Sequence, residues 1–372
     1  MPFWERQADS ASAEKPQTDE GRRFGVESGS CAYAYQKKQE QDEHPSNQDR
    51  YFTAGRAFGV FDGVGSLAES GTAAEMARDA IINKFQQYPR KLNVSEAQNL
   101  AQQSLETAQA AVMTLRGAGE TTAAIGVIAY KENGERALIV AHAGDSRVYL
   151  RRQIQGKWQI YCLTVDDSEA SKNMNQADAV RLQNKLDEVV DIEEAAKRGQ
   201  VTPQEYTAYK QRHVMSNSVG PHAKGLNISG AWDIFTGDEI IIATDGVHDN
   251  LTNSEINKTL TEGKNSQEQA IALNNAAYLR SQDTRHPRHK ADDITSVVTK
   301  VVAEDLQPVT PEAPTAPTDI KAGGQIKGWT VIARNGDFAI LNKPELDEVG
   351  KEYTRTRTVY LPNYLQGLEQ TD

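Results

Sequence analysis

Ala57-Phe58-Gly59-Val60-Phe61-Asp62-Gly63-Val64-Gly65-Ser66 sets an uncharged apolar run directly before an Asp-Gly pair. Such a run reads as a buried strand, and Asp-Gly is where it stops. The Asp62 carboxylate is therefore expected at the rim of a sheet, where the strand no longer shields it and the glycine lets backbone approach a ligand. The pattern returns in Ile240-Ile241-Ile242-Ala243-Thr244-Asp245-Gly246-Val247-His248-Asp249. A third segment, Ala291-Asp292-Asp293-Ile294-Thr295-Ser296-Val297-Val298, places its aspartates just before a strand. A single Asp-Gly after a strand is most often a turn. Several carboxylate rims converging on one point would instead hold a hard cation, Mg²⁺ or Mn²⁺, and the lack of a Cys/His cluster argues against zinc.

Outward from these rims the apolar period switches repeatedly. Residues 31–36, 57–61, 122–130, 136–142, 146–151, 157–163, 238–244 and 293–301 are short and β-branched or alternating, which predicts strands. Residues 66–87 and 95–115 carry apolar side chains at helical spacing, and 253–261 and 266–281 predict a second helix pair. Paired helices between runs of strands do not fit a strictly alternating parallel fold. The expected class is α+β: two antiparallel sheets with helix pairs on their outer faces.

The chain has 372 residues, with 41 Lys+Arg against 52 Asp+Glu, a net charge of −11. An acidic chain is not a general nucleic-acid binder, which needs cations to displace counterions from phosphates. The longest apolar runs, such as Ala137 to Ala141, fall far short of a membrane span, which takes roughly 18 residues. Cys31 and Cys162 lie in apolar alternating stretches and read as two thiols in a reducing compartment. The N-terminus shows no apolar core of a secretory signal, which makes the cytoplasm the expected location.

Residues 1–28 are polar and read as a tail. Residues 305–322 form a Pro/Thr-rich linker, with four prolines between Pro308 and Thr318. Residues 29–304 are left for the main domain, and 323–372 for a small β module. In the module, Lys327 to Leu341 predicts two strands joined at Asn335-Gly336, and Thr354 to Leu361 a third. So short a unit buries little core, so docking on the main domain or on a partner is expected of it.

Three further segments complete an ordered series: Gly119-Glu120-Thr121-Thr122, Gly144-Asp145-Ser146-Arg147 and Leu163-Thr164-Val165-Asp166-Asp167-Ser168. Taken with the aspartate rims, they resemble the successive motifs of the bacterial-type metal-dependent serine/threonine phosphatases of the protein phosphatase 2C (PPM) family, over residues 29 to 303. The resemblance implies a four-layer αββα sandwich. It implies that Asp62 bridges two Mg²⁺ or Mn²⁺ ions, that the Gly63 carbonyl binds one of them, and that Asp245 and Asp292 complete the first. Asn47-Gln48-Asp49 matches the motif whose aspartate holds metal-bound water, and Asp145 matches the position that helps to hold a third ion. The implied reaction is hydrolysis of phosphoserine or phosphothreonine in proteins by a water bridging the two ions, in signalling that opposes a kinase. No protein nucleophile takes part.

The chain also departs from the family. Val64 stands where eukaryotic members often have a histidine, as in the bacterial branch. His44 stands where an arginine usually grips the substrate phosphate; His44, or Lys37, Lys38 or Arg50, is the expected replacement. A weakened clamp leaves a pseudophosphatase or phosphoprotein-binding module as the alternative. Residues 166–220 correspond to the flap beside the site, with Thr202-Pro203-Gln204-Glu205 starting a helix and Arg212 and His213 in structural roles. His142 and His248 read as packing beside the site, and Arg285-His286-Pro287-Arg288-His289-Lys290 as a solvated basic loop able to steer phosphopeptides.

Overall fold

The computed structural model describes residues 24–33, 47–65, 69–88, 90–117 and 119–304, together with the backbone of four strands beyond residue 324. The chain divides into two compact units, Met1–Asp305 and Leu306–Asp372. Through the first unit run β1 (Val26–Tyr33), β2 (Arg50–Ala54), β3 (Ala57–Phe61), α1 (Ser70–Gln86) and α2 (Val94–Val112). Four strands follow: β4 (Ala123–Tyr130), β5 (Arg136–Ala143), β6 (Arg147–Ile154) and β7 (Lys157–Cys162). Next come α3 (Gln176–Asp187), α4 (Ile192–Lys197), α5 (Pro203–Gln211), β8 (Asn227–Ile228), β9 (Trp232–Asp233) and β10 (Glu239–Ala243). The unit closes with α6 (Asp245–His248), α7 (Asn253–Thr259), α8 (Ser266–Gln282) and β11 (Ile294–Val301).

Two antiparallel sheets result, one ordered β1-β11-β10-β6-β7 and the other β2-β3-β4-β5-β8, with β9 also pairing with β5. The period of two along each strand divides the core between layers. On β3, Phe58 and Val60 meet Ile240, Ile242 and Val297 of the opposite sheet, while Ala57 and Phe61 face Ala73, Ala77 and Ile81 of α1. Ile241 and Ala243 of β10 turn the other way, onto Leu273 and Ala277 of α8. Both faces of the central strands are covered, so their sequences are apolar throughout. Each large aliphatic or aromatic side chain fully buried there contributes about 1.5–3 kcal/mol. The four layers match the fold expected from the sequence.

Local signals start the helices. Asn93 caps α2, accepting from the Glu96 amide at 2.9 Å while Glu96 accepts from the Asn93 amide at 3.0 Å. Thr202 and Glu205 form the same reciprocal pair at α5, as the sequence predicts. The α3–α5 segment has a small core of its own, in which Leu186, Ile192, Val201, Ala208 and Tyr209 meet.

Three expectations shift. β1 begins at Val26, inside the stretch read as tail, because Phe24 and Val26 are buried against the inter-sheet core. β2 and the two-residue strands β8 and β9 escape the periodicity reading. The 285–290 segment is solvated only in part: Arg285 and Pro287 are exposed, but Arg288 is 3% exposed. Its guanidinium donates to the carbonyls of Val189 at 2.8 Å and His248 at 2.6 Å.

The second unit is a four-stranded antiparallel sheet of β12 (Gln325–Ile326), β13 (Trp329–Asn335), β14 (Phe338–Leu346) and β15 (Glu352–Tyr360) in sequence order. Asn335 pairs with Phe338, at the point where the Asn-Gly hairpin is expected.

Candidate active site

Strand direction alone gathers the aspartates at one end of each sheet. Arg50 pairs with Phe61, so Asp49 before β2 and Asp62 after β3 share an end. Ala243 pairs with Ser296 and with Arg147, so Asp245, Asp292 and Asp145 share the corresponding end of the other sheet. Two hydrogen bonds join the ends: the Gln48 amide donates to Asp293 at 2.7 Å, and the Thr244 hydroxyl donates to Asp49 at 2.9 Å.

The five carboxylates of Asp49, Asp62, Asp145, Asp245 and Asp292 are electrostatic neighbours. Burial, followed by the charges of Asp49, Asp245, Asp292 and Asp145, holds the Asp62 carboxyl well above its usual range. Asp49 is raised in the same way by burial and by Asp293, and Asp145 by burial and by Asp245. Asp292 is pushed up to about 7, by burial first and Asp245 second. A metal-free cluster is thus a stack of like charges that favours protons.

Both Asp-Gly glycines are required by neighbouring protein backbone. A Cβ on Gly63 would stand 2.8 Å from the Ser70 backbone at the start of α1. On Gly246 it would stand 1.9 Å from the Asp293 carbonyl oxygen. That contact holds Asp245 against the segment that carries Asp292. Gly246→Ala is expected to lose about 3 kcal/mol, because the obstacle is backbone and cannot rotate away. Thermal melting checks this, and a midpoint within about 1 °C of the parent would contradict it.

Around the cluster, Thr122 accepts from the Asp62 amide at 2.9 Å and bonds Ser146 at 2.7 Å. His248 faces the Asp145 carbonyl at 3.2 Å, and His142 the Val165 carbonyl at 3.0 Å. Arg50 donates to the carbonyls of Asn47 at 2.7 Å and Asp49 at 2.8 Å and to Glu75 at 3.3 Å, so it braces its own turn rather than facing the cluster. His44, Lys37 and Lys38 lie outside the described residues.

Sequence reasoning missed three participants. Lys290 donates to Asp245, to Asp249 at 2.8 Å and approaches Asp292 to 3.1 Å. Asp249 also meets His213 at 2.9 Å and Arg212 at 3.4 Å. Burial works against the charge of Asp249, yet Lys290 and His213 hold its carboxyl well below the usual range. Arg147, 3% exposed, grips Asp166 through two bonds of 2.8 and 2.7 Å and Asp187 at 2.9 Å, tying β6 to α3. The signal for Asp249 was its spacing, four residues beyond Asp245 on one helical turn.

The donor set suits a hard divalent cation. Asp49 Oδ1 and Asp245 Oδ1 are buried with no hydrogen-bond partner, two oxygens free to accept a ligand. Among the described residues no three His, Cys, Asp or Glu side chains are already closed as a metal cage. Lys290 stands among those that would form it.

A double antiparallel sheet between helix pairs, with aspartates massed at one end, defines the class to which phosphatases of this architecture belong. The sequence model described as protein phosphatase 2C matches residues 37–276, and the chain belongs to that family. Among solved structures, the Mycobacterium tuberculosis serine/threonine phosphatase PstP/Ppp superposes with a TM-score of 0.52 at 18% identity, covering 74% of this chain and 99% of that one. The S. agalactiae serine/threonine phosphatase gives 0.53 at 21% identity, covering 74% and 99%. The PstP catalytic domain in complex with two manganese ions gives 0.51 at 18% identity, covering 74% and 98%. At these identities the likeness concerns the fold. No match was found among curated protein sequences. Among the described residues, no helix is long and apolar enough to cross a membrane.

Proposed function

We propose that this chain hydrolyses phosphoserine and phosphothreonine in proteins, using two divalent ions, Mg²⁺ or Mn²⁺, and that Asp145 helps to hold a third. The observation that carries the reading is the mutual proximity of Asp49, Asp62, Asp145, Asp245 and Asp292, with two buried carboxylate oxygens left unpartnered. Asp62 would serve both ions, the Gly63 carbonyl one of them, Asp245 and Asp292 the first, and Asp49 would orient the water beside them. When bound, such ions lower the pKa of a shared water and neutralise the phosphoryl oxygens. The chain's part is to fix the carboxylates. Thr244 holds Asp49 through a hydroxyl that also accepts from the Thr295 amide at 3.0 Å, and Thr122 holds the Asp62 backbone.

The manganese bound by a structural neighbour of the same fold supports the choice of ion. Substrates on this reading are phosphoproteins made by an opposing serine/threonine kinase. The cytoplasm suits its two free cysteines, of which Cys31 is buried and Cys162 half-buried. The small β unit is assigned to docking or to partner binding. Turnover of a phosphopeptide with Mn²⁺, abolished by chelation and restored by re-addition, tests the reading. A chain that binds the phosphopeptide without turnover would be the phosphoprotein-binding module instead.

A further inference from the structure

We propose that Lys290 is an internal cation that holds the place of a divalent ion between Asp245 and Asp292, so that metal binding requires its ammonium to be displaced. The inference rests on the metal reading above. An ammonium has three donors and no acceptor. Here three carboxylates receive it: Asp245, Asp249 at 2.8 Å and Asp292 at 3.1 Å.

The side chain has not strayed into the cluster from a loose loop. The Lys290 amide donates to Asn250 Oδ1 at 3.0 Å, and the Asn250 Nδ2 donates back to the Lys290 carbonyl at 2.9 Å. The same Nδ2 donates to the Gly246 carbonyl at 2.8 Å, and Asn250 is fully buried. Lys290 is therefore clamped directly beside the turn that presents Asp245. Two residues before, Arg288 is fastened by its four backbone carbonyl partners, those of Asp187, Val189, His248 and Leu251. The segment before Asp292 is built to deliver a cation to this place.

Distances set the two cations in competition. An oxygen ligand lies about 2.0–2.1 Å from Mg²⁺, while an ammonium rests near 2.8 Å from a carboxylate oxygen. A divalent ion taking the same Asp245 and Asp292 oxygens would lie at most about 5 Å from the present Nζ, so the two cations compete for those oxygens and repel each other. Lys290 has somewhere to go, since it already donates to Asp249 at 2.8 Å. One ammonium cannot satisfy the whole cluster, and the unpartnered Oδ1 of Asp245 still draws a stronger cation.

Two consequences separate this from a purely structural salt bridge. The metal-free domain is held together by its own lysine, and the first divalent ion binds more weakly than the carboxylates alone would allow.

The test uses the full chain, stripped with EDTA and titrated with Mn²⁺ while free Mn²⁺ is followed by electron paramagnetic resonance. Lys290→Met is expected to bind the first Mn²⁺ at least about tenfold more tightly than the parent. It is expected to melt lower than the parent in EDTA and level with it in saturating Mn²⁺. Lys290→Arg keeps the charge and is expected to stay within about threefold of the parent affinity. If Lys290→Met does not survive stripping, Lys290→Gln prepared with Mn²⁺ and titrated against a competing chelator gives the same comparison. Equal or weaker Mn²⁺ binding in the uncharged variants overturns the proposal, as does tighter binding in Lys290→Arg. Failure of the parent and variants alike to bind Mn²⁺ would fell the metal reading itself, whereas ordinary parent binding with no gain in Lys290→Met fells only the role of the lysine.

Discussion

Asp62→Asn is expected to lose about 10³-fold in phosphopeptide turnover, the equivalent of roughly 4 kcal/mol of transition-state stabilisation. Asp62 is the carboxylate on which the other four act, and in the proposed reading it alone serves both ions. An amide keeps the shape and removes the charge, so fold and function should move in opposite directions. In EDTA the variant should melt above the parent, because a half-buried charge facing four others has gone. In Mn²⁺ the parent should regain its stability and the variant much less of it. Turnover at saturating substrate and melting with and without Mn²⁺ check both halves. Turnover within tenfold of the parent would remove Asp62 from the chemistry.

Arg147→Met is expected to cost about 3–5 kcal/mol, because it strands two buried carboxylates. Arg147, Asp166 and Asp187 are each under a tenth exposed, and the guanidinium is held by three charge-assisted bonds. Burial and Asp187 both push the Asp166 carboxyl upward while Arg147 opposes them, so losing the arginine removes the opposing influence. The loss should appear as a melting midpoint lower by about 10 °C and as faster proteolysis within residues 166–220. Adding Asp166→Asn and Asp187→Asn to Arg147→Met should recover much of the stability, since the uncompensated charges are then gone. No recovery would show that the packing of the arginine, rather than its charge, secures the segment.

What the sequence made legible was whatever local physics decides. The apolar run at 57–61 reads as a strand because both of its faces are covered, and Thr202-Pro203-Gln204-Glu205 reads as a helix start because its capping bonds are made within four residues. The aspartate rims were visible for the same reason: the end of a strand is a local event. β2 was not visible, since only Phe52 of its five residues is buried and no alternation shows. Lys290 and Arg288 were misplaced because their residue types belong at the surface and their partners lie about 40 to 100 positions away in the chain. Only the folded chain brings Asp249 and Asp187 to them. Glu120 is a similar case: Ser218 donates to it at 2.6 Å and His222 joins it, across a separation that no spacing rule spans.

The pairing of β1 with β11, Val26 opposite Val301, sets the first and last strands of the catalytic unit side by side. The chain enters and leaves the sandwich through neighbouring threads of one sheet. A short loop joining those two points would close the domain into a ring, and the ring could then be opened elsewhere, for instance in an exposed turn such as Gly134, without parting any strand from its neighbours. The connectivity of this phosphatase fold is in that sense interchangeable, while the meeting of its aspartates, Thr244 and Lys290 is not.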